Sequence, residues 1–136
     1  MEHDAMKQLM KSLIVALAIV VALPVFAAGQ GTLTFDESKA QVSTGDVFDL
    51  NVRVAPNGEP LDTVRAIITF DPNVLSATDA SLIGAFNRVA PGNGINNTAG
   101  WVSLGGFTLD GPITSSGAFA RVSFRAKAQG ETTVAI

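Results

Sequence analysis

Carboxylate side chains could take part in catalysis or bind a metal, and six aspartates of this sequence lie at predicted strand ends and turns. A glycoside hydrolase needs two carboxylates about 5 to 10 Å apart across a cleft, and a calcium loop needs the pattern D-x-[DN]-x-[DN]-G. The spacing selects no pair and the calcium pattern is absent, so turn formation explains these residues best. A weaker calcium site made of turn oxygens stays open. The six are Asp46, Asp49, Asp62, Asp71, Asp79 and Asp110.

Histidine and cysteine contribute nothing to a catalytic site. The single histidine is His3, at the extreme N-terminus, and there is no cysteine. The chain therefore lacks the commonest general base, a thiol nucleophile, disulfides and thiolate metal ligands. We expect no catalytic residue, no metal site and no cofactor, and we predict that the protein is not an enzyme.

Trp101 is the one aromatic residue that suggests carbohydrate binding, because flat aromatic rings stack on sugar rings. It is the only tryptophan, and tyrosine is absent. A large core or edge residue is the competing interpretation of Trp101. A single ring makes a weak sugar platform, so direct carbohydrate binding is an alternative function and not the leading one.

Arginines in outward-facing strand positions suggest instead a surface that binds protein. Arg65, Arg121 and Arg125 alternate with inward apolar residues, and Ile67 and Phe119 fall in the same outward phase. Arginine beside exposed apolar side chains is typical of an interface. A plain solvated face is the competing interpretation.

Period-two patterns position all of these residues on strands. In the segment 47–54, Phe48, Leu50, Val52 and Val54 are predicted to face the core, which is the pattern of a half-buried strand. The segment 63–70 repeats it, with Arg65, Ile67 and Thr69 outward and Ala66, Ile68 and Phe70 inward. So does 118–128, with Ala120, Val122, Phe124 and Ala126 inward and Phe119, Arg121, Ser123 and Arg125 outward.

Turn residues separate these strands. Asn57-Gly58 predicts a tight turn. The segment 90–100 is predicted to be a surface loop around one short strand near Ile95, and Gly105-Gly106 predicts a bulge inside the strand 101–109. No useful helical periodicity is present. Seven to nine short strands favour an all-β antiparallel sandwich, whose last strand we expect to be incomplete at Ile136.

The N-terminus has the layout of a secretory signal. Lys7 and Lys11 precede an apolar run of 11 residues from Leu13 to Leu23, and small residues follow Pro24, as in a cleaved signal peptide. We assign residues 1–27 to the signal, with Met6 as the expected true start, and residues 28–136 to one domain. An uncleaved anchor helix is the alternative, and it would be the chain's only contact with a membrane. We expect a bacterial protein that is secreted, extracellular or held at the cell surface.

The net charge of −3 and the absence of a basic cluster argue against nucleic-acid binding.

Two long stretches of the chain resemble a known family. The segment "GDVFDLNVRVAPNGEPLDTVRAIITFDPNVLSA" resembles the first half of a cohesin domain, with its Gly-Asp before a strand and its Phe-Asp-Pro before an apolar pair. The segment "GAFARVSFRAKAQGETTVAI" resembles the second half. The resemblance extends over residues 31–136. It implies a jelly-roll sandwich of about nine strands, similar to carbohydrate-binding modules of families 2 and 3, without catalytic activity.

The resemblance also implies a partner and a surface. Cohesins bind dockerins, which are calcium-loaded helical modules of secreted enzymes, through one sheet face. That face would comprise the strands at 63–70, near Ile95, at 101–109 and at 118–126. Aligned on Phe-Asp-Pro, family contacts that are often Asn and Asp fall at Thr63 and Arg65, so Arg65 reverses the charge, and an acidic contact falls near Asp110. The predicted partner-binding residues are Thr63, Arg65, Ile67, Thr69, Trp101, Ser103, Asp110 and Arg121.

The leading prediction is therefore a secreted cohesin-like module that docks a dockerin-type protein and is linked to extracellular polysaccharide degradation. Direct binding of a polysaccharide and a structural role in the cell envelope are the two alternatives.

Overall fold

The computed structural model describes the backbone of residues 16–21 and the whole of residues 31–136, and in this part the chain is all-β. Short alternating segments separated by turn residues account for the strands. In chain order they are β1 (Ala16–Val21), β2 (Thr32–Phe35), β3 (Lys39–Val42), β4 (Val47–Ala55), β5 (Thr63–Thr69), β6 (Leu75–Leu82), β7 (Arg88–Val89), β8 (Gly94–Asn96), β9 (Trp101–Phe107), β10 (Gly117–Ala126) and β11 (Glu131–Ala135).

The strands form two sheets. One has the order β2-β4-β10-β6; the other has the order β3-β1-β11-β5-β9-β7, with β8 also paired to β9. Neighbouring strands are antiparallel except for β1 and β11, which are parallel. The predicted antiparallel sandwich is confirmed, and so is the short strand near Ile95, which is β8.

The core lies between the two sheets and is built from the predicted inward positions. Leu50, Val52 and Val54 of β4 are at most 2% exposed, and Ala66 and Ile68 of β5 are fully buried. Phe124 of β10 is also fully buried. Its ring centroid lies 5.2 Å from that of Phe70 in an edge-on contact and 5.9 Å from that of Phe48. These aromatic contacts join the end of β5, in one sheet, to the opposite sheet.

The Asp-Pro pair after β5 moves the chain from one sheet to the other. The Asp71 side chain accepts a hydrogen bond from the amide of Asn73 (2.9 Å), and the Asp71 carbonyl accepts one from the amide of Leu75 (2.9 Å). An aspartate that bonds the backbone two residues ahead stabilises a turn. This turn connects β5 to β6, which follow one another in the sequence but lie in opposite sheets.

The predicted Asn57-Gly58 turn is confirmed. Both residues have positive φ (55° and 90°), and the amide of Glu59 donates to the carbonyl of Pro56 (3.1 Å). Positive φ at both central positions defines the turn type that suits Asn-Gly. This turn begins the return of the chain from β4 toward β5.

The bulge occurs in a different strand from the predicted one. The register of β5 with β9 runs without interruption through Gly105 and Gly106, whereas β10 shifts register between Ala118 and Ala120. The shift turns Phe119 inward, where it is fully buried and its ring contacts that of Phe86 edge-on at 5.9 Å. The prediction that Phe119 faces outward is therefore wrong, because one extra residue reverses the alternation locally.

The predicted signal lies mostly outside the described residues. Within it the structure describes the backbone of Ala16–Val21, which forms β1 between β3 and β11. Met6, the cleavage region around Ala27 and the two lysines lie outside. In the part of the chain that the structure describes, no helix is long and apolar enough to span a membrane.

Candidate functional site: the β5–β9 sheet face

Two neighbouring strands bring most of the predicted site residues together. In the register of β5 with β9, Thr63 lies opposite Phe107, Arg65 opposite Gly105, Ile67 opposite Ser103 and Thr69 opposite Trp101. Residues directly opposite each other in a pair of strands point to the same side of the sheet. These eight residues form one outer surface, which we call the β5–β9 face.

The apolar part of this face is its Ile67 and Trp101 side chains. Ile67 is 47% exposed and Trp101 is 37% exposed, although their sequence neighbours Ile68 and Val102 are fully buried. Asn96 of β8 lies opposite Trp101 on the other side of β9 and adds a polar group beside the ring. The face therefore offers a small apolar area with hydroxyls and an amide around it, which is the composition of a protein-binding surface.

Arg65 is held by its own chain and does not project freely. One of its terminal nitrogens, Nη1, donates to the Ser103 hydroxyl at 2.7 Å and lies 3.3 Å from the side-chain oxygen of Asn93. The other, Nη2, donates to the carbonyl oxygen of Pro91. Ser103 is only 7% exposed, so its hydroxyl mainly serves as this acceptor. The residues that hold Arg65 come from β9 and from the loop between β7 and β8.

The remaining two predicted residues lie elsewhere. Asp110 follows β9 in an exposed loop, where its backbone amide donates to the Thr108 hydroxyl (3.2 Å), and it lies at the Thr63 end of the face. Arg121 is on β10, opposite Asn51 of β4, and its Nε donates to the Asn51 side chain (3.2 Å). Since β10 belongs to the four-stranded sheet, the prediction that 118–126 shares the face of Arg65 is wrong.

Arg88 and Asn93 belong to this region and were not singled out by the sequence. Arg88 of β7 lies opposite Phe107 on the side of β9 away from β5, so it widens the face at its Thr63 end. Asn93 contacts Gly105 through both ends of its side-chain amide. Both residues fall in a segment of turn-type composition without periodicity, and no local signal places that segment against β9.

A crevice opens at the edge of the sandwich between β6 and β8, with a volume of about 600 Å³. Its apolar lining comes from Leu82, Val89, Ile95 and Leu104, and no aromatic ring lines it. Trp101 lies outside the crevice on the β5–β9 face. A sugar that entered the crevice would therefore find no ring to stack on.

Metal-ligating side chains do not come together in the described residues. No cluster of three or more His, Cys, Asp or Glu side chains capable of holding a metal occurs in residues 31–136. The one ion pair in this part of the chain joins Arg53 to Asp36 at 3.8 Å, and both side chains are exposed. The candidate site is the outer surface of two paired strands.

Comparison with solved structures gives the same fold. A type II cohesin in a cohesin–X-dockerin complex from Acetivibrio cellulolyticus is 17% identical, with a TM-score of 0.55, over 88% of this chain and 75% of that one. The cohesin of the Coh-OlpC–Doc435 complex from Clostridium thermocellum is 10% identical, with a TM-score of 0.53, over 90% and 93%. A cohesin module of a family 33 glycoside hydrolase from Clostridium perfringens is 14% identical, with a TM-score of 0.55, over 77% and 75%.

The two packed sheets place the chain in the β-sandwich class. The family model of the cohesin domain matches residues 26–136, and the chain belongs to the cohesin domain family. Cohesin modules are non-catalytic, as predicted for this chain. No curated protein matches the sequence.

Proposed function

We propose that this protein is a docking module that binds a dockerin-type protein through the β5–β9 face. The observation that carries the proposal is the exposure of Ile67 and Trp101 on a face whose neighbouring positions are polar. Solved cohesins of the same fold are described in complexes with dockerins, of both type I and type II. The residues proposed to contact the partner on this face are Thr63, Ile67, Thr69 and Trp101, with Asp110 at its end. Arg65 and Ser103 of the predicted set lie on the same face but hydrogen-bond to each other.

The mechanism is rigid docking of two preformed surfaces. The face is built on paired strands, with backbone hydrogen bonds on both sides of β9, so little conformational entropy is lost when a partner binds. Ile67 would enter a small apolar pocket of the partner, and the surrounding polar groups would exclude water from the contact. The dockerin would bring its own calcium.

The test measures binding of the full chain to a panel of dockerins by calorimetry, with calcium and with a chelator. Ile67→Asp should weaken binding by about tenfold or more, because it buries a charge in the centre of the contact. Val47→Asp is the matched control: Val47 is a β-branched strand residue of similar exposure (55%) on β4, in the other sheet. Failure of the folded wild-type chain to bind any dockerin in calcium would overturn the proposal, as would equal effects of the two variants.

Direct carbohydrate binding is the second candidate, and the exposure of Trp101 is the observation that favours it. It predicts retarded migration in gels that contain cellulose, chitin or xylan, and loss of the retardation in Trp101→Ala. A structural role in the cell envelope is the third candidate and is the one supported if neither dockerin nor polysaccharide binds.

Export to the cell surface or the medium, with a role in polysaccharide degradation, is part of the proposal. The basic start and apolar run of residues 1–27 support it. Mass spectrometry of the protein recovered from the producing bacterium tests it. A mature N-terminus at Ala28 is expected, and an intact N-terminus would support the uncleaved anchor.

A further inference from the structure

Two cations lie on the outer side of β5, β9 and β7, and they differ in what surrounds them. Arg65 is in the middle of β5 and Arg88 is on the short edge strand β7. Cross-strand pairing places both on the same surface, since Arg88, Phe107 and Thr63 are opposite one another across three strands. A partner on this face would contact both residues. The arginine whose charge is not already engaged determines where the partner needs an acidic group.

The guanidinium of Arg65 is committed to the loop between β7 and β8. It reaches the Ser103 hydroxyl (2.7 Å), the Asn93 side-chain oxygen (3.3 Å), the Gly92 carbonyl (3.5 Å) and the Pro91 carbonyl. Hydrogen bonds from a charged donor are stronger than neutral ones. Three of these acceptors belong to the loop and the fourth, Ser103, belongs to β9, so the guanidinium ties the loop to β9 and has few donors left for a partner.

Asn93 completes the attachment of this loop by acting like a strand residue. Its side-chain oxygen accepts from the Gly105 amide (2.6 Å), and its side-chain nitrogen donates to the Gly105 carbonyl (3.1 Å). The same carbonyl accepts from the Ala90 amide (3.0 Å). On the side of β9 away from β5, beyond the end of β8, the backbone of Gly105 is therefore paired with the Asn93 side chain and the Ala90 amide.

Arg88 is exposed, and in the described part of the chain its side chain makes no ion pair or hydrogen bond. No acidic residue occupies the strand positions beside it on β9 or β5, where Phe107 and Thr63 lie. Its charge is consequently available to a partner.

We propose that Arg65 is a positioning residue, which ties the 90–93 loop to β9, and that Arg88 is the cation that meets an acidic group of a docked protein. The assignment rests on the proposed docking function. Thr63 and Ile67 are four residues apart on β5, which is about 13 Å along the strand. Arg88 lies two strand spacings, about 10 Å, to the side of Thr63. The partner would thus carry a carboxylate about 16 Å from the apolar residue that covers Ile67.

Amide hydrogen exchange tests the role of Arg65 without any partner. In Arg65→Ala, the amides of Gly105 and Ala90 should exchange about tenfold faster or more, because the loop loses charge-assisted hydrogen bonds. Asn93→Ala should accelerate the Gly105 amide directly. Arg65→Lys should restore protection only in part, since an ammonium lacks the planar fork of donors. Arg88→Ala is the matched control and should leave both amides unchanged; unchanged exchange in Arg65→Ala would overturn the assignment.

Binding to a dockerin that the wild-type chain recognises tests the role of Arg88. Arg88→Glu should weaken association several-fold at low salt, and the difference should shrink at high salt, because an exposed charge acts mainly through screened attraction. Arg121→Glu, on the other sheet, is the control and should have no effect. Equal binding by Arg88→Glu and the wild type would overturn the assignment of Arg88. If the wild type binds no dockerin, the docking function and the Arg88 role fail together, whereas the exchange measurement still decides the role of Arg65.

Discussion

Arg65 and Gly105 face each other across β5 and β9, and the guanidinium of Arg65 lies where a side chain of residue 105 would be. A Cβ placed on Gly105 would be 2.5 Å from Nη2 and 2.7 Å from Cζ of Arg65. The absence of a side chain at position 105 is thus what allows Arg65 to cross β9 and reach the 90–93 loop. The position of the Arg65 side chain therefore depends on glycine at position 105.

Gly105→Ala is expected to displace the Arg65 guanidinium and to destabilise the protein by about 1 to 3 kcal/mol, because the displaced guanidinium loses its hydrogen bonds to Ser103 and the 90–93 loop. The new methyl group would also approach the Cβ of Ala90 at 3.0 Å. Urea denaturation measures the loss. Gly117→Ala is the control, because Gly117 begins β10 and a Cβ there has no atom within 4 Å. Equal stability of the two variants would contradict the close approach of Arg65 to position 105.

Asn97→Ala is expected to cost about 1 to 3 kcal/mol, because it leaves two backbone groups of β6 without partners. The Asn97 side chain accepts from the amide of Ala77 (2.7 Å) and donates to its carbonyl (2.9 Å), so it pairs the outer edge of β6 as another strand would. Thermal unfolding measures the change. Asn87→Ala should be close to neutral, because Asn87 is exposed and its side chain makes no hydrogen bond within the described part of the chain. A similar loss in both variants would argue against this pairing.

Phe119→Ala distinguishes the observed bulge in β10 from regular alternation. A buried phenylalanine costs about 3 to 5 kcal/mol on truncation, whereas an outward-facing residue would cost little. Phe119 is fully buried beside Phe86, so we expect the large value, measured by urea denaturation. Arg121→Ala, two residues along the same strand and exposed, supplies the comparison. A loss below about 1 kcal/mol in Phe119→Ala would contradict the bulge and support regular alternation in β10.

Phe124→Ala is expected to be among the most damaging single substitutions, again by about 3 to 5 kcal/mol. Phe124 is fully buried and contacts the rings of Phe70 and Phe48, so its loss leaves a cavity between the two sheets. Since domains of this size are stable by only about 5 to 15 kcal/mol, the variant should be largely depleted from soluble expression. Val47→Ala, at an exposed position of β4, should express normally. A variant with wild-type stability would show that the core closes around the gap.

Local patterns predicted single strands well. The alternation in β4 and β5 placed Leu50, Val52, Ala66 and Ile68 in the core, where the structure has them. Asp71-Pro72 placed the end of β5 correctly. Each of these features depends on residues that are close in sequence, so a period or a turn motif is sufficient evidence.

Predictions that needed a neighbouring strand were less successful. The prediction that Arg121 shares a surface with Arg65, as two outward cations, is wrong because β10 pairs with β4 and β6 in the other sheet. The segment 76–89 shows only short apolar pieces between polar residues, and no local pattern in it predicts the strands β6 and β7. The predicted loop 90–100 contains β8, as expected, but also the side-chain contacts of Asn93 and Asn97 with other segments. Those side chains replace strand partners across distances in sequence that no local pattern spans.

The all-β class and the inward and outward residues of the regular strands are predictable from the amino-acid sequence alone, because side-chain alternation and turn chemistry are local. The Phe-Asp-Pro and Gly-Ala-Phe-Ala segments carry the resemblance to cohesins, and the family model confirms it over residues 26–136. The fold is needed to show which strands are neighbours, where β10 carries its extra residue, and that Arg65 bonds to its own loop while Arg88 is exposed. Those outcomes depend on hydrogen bonds between segments far apart in the chain, and the two sheets must assemble before the bonds exist.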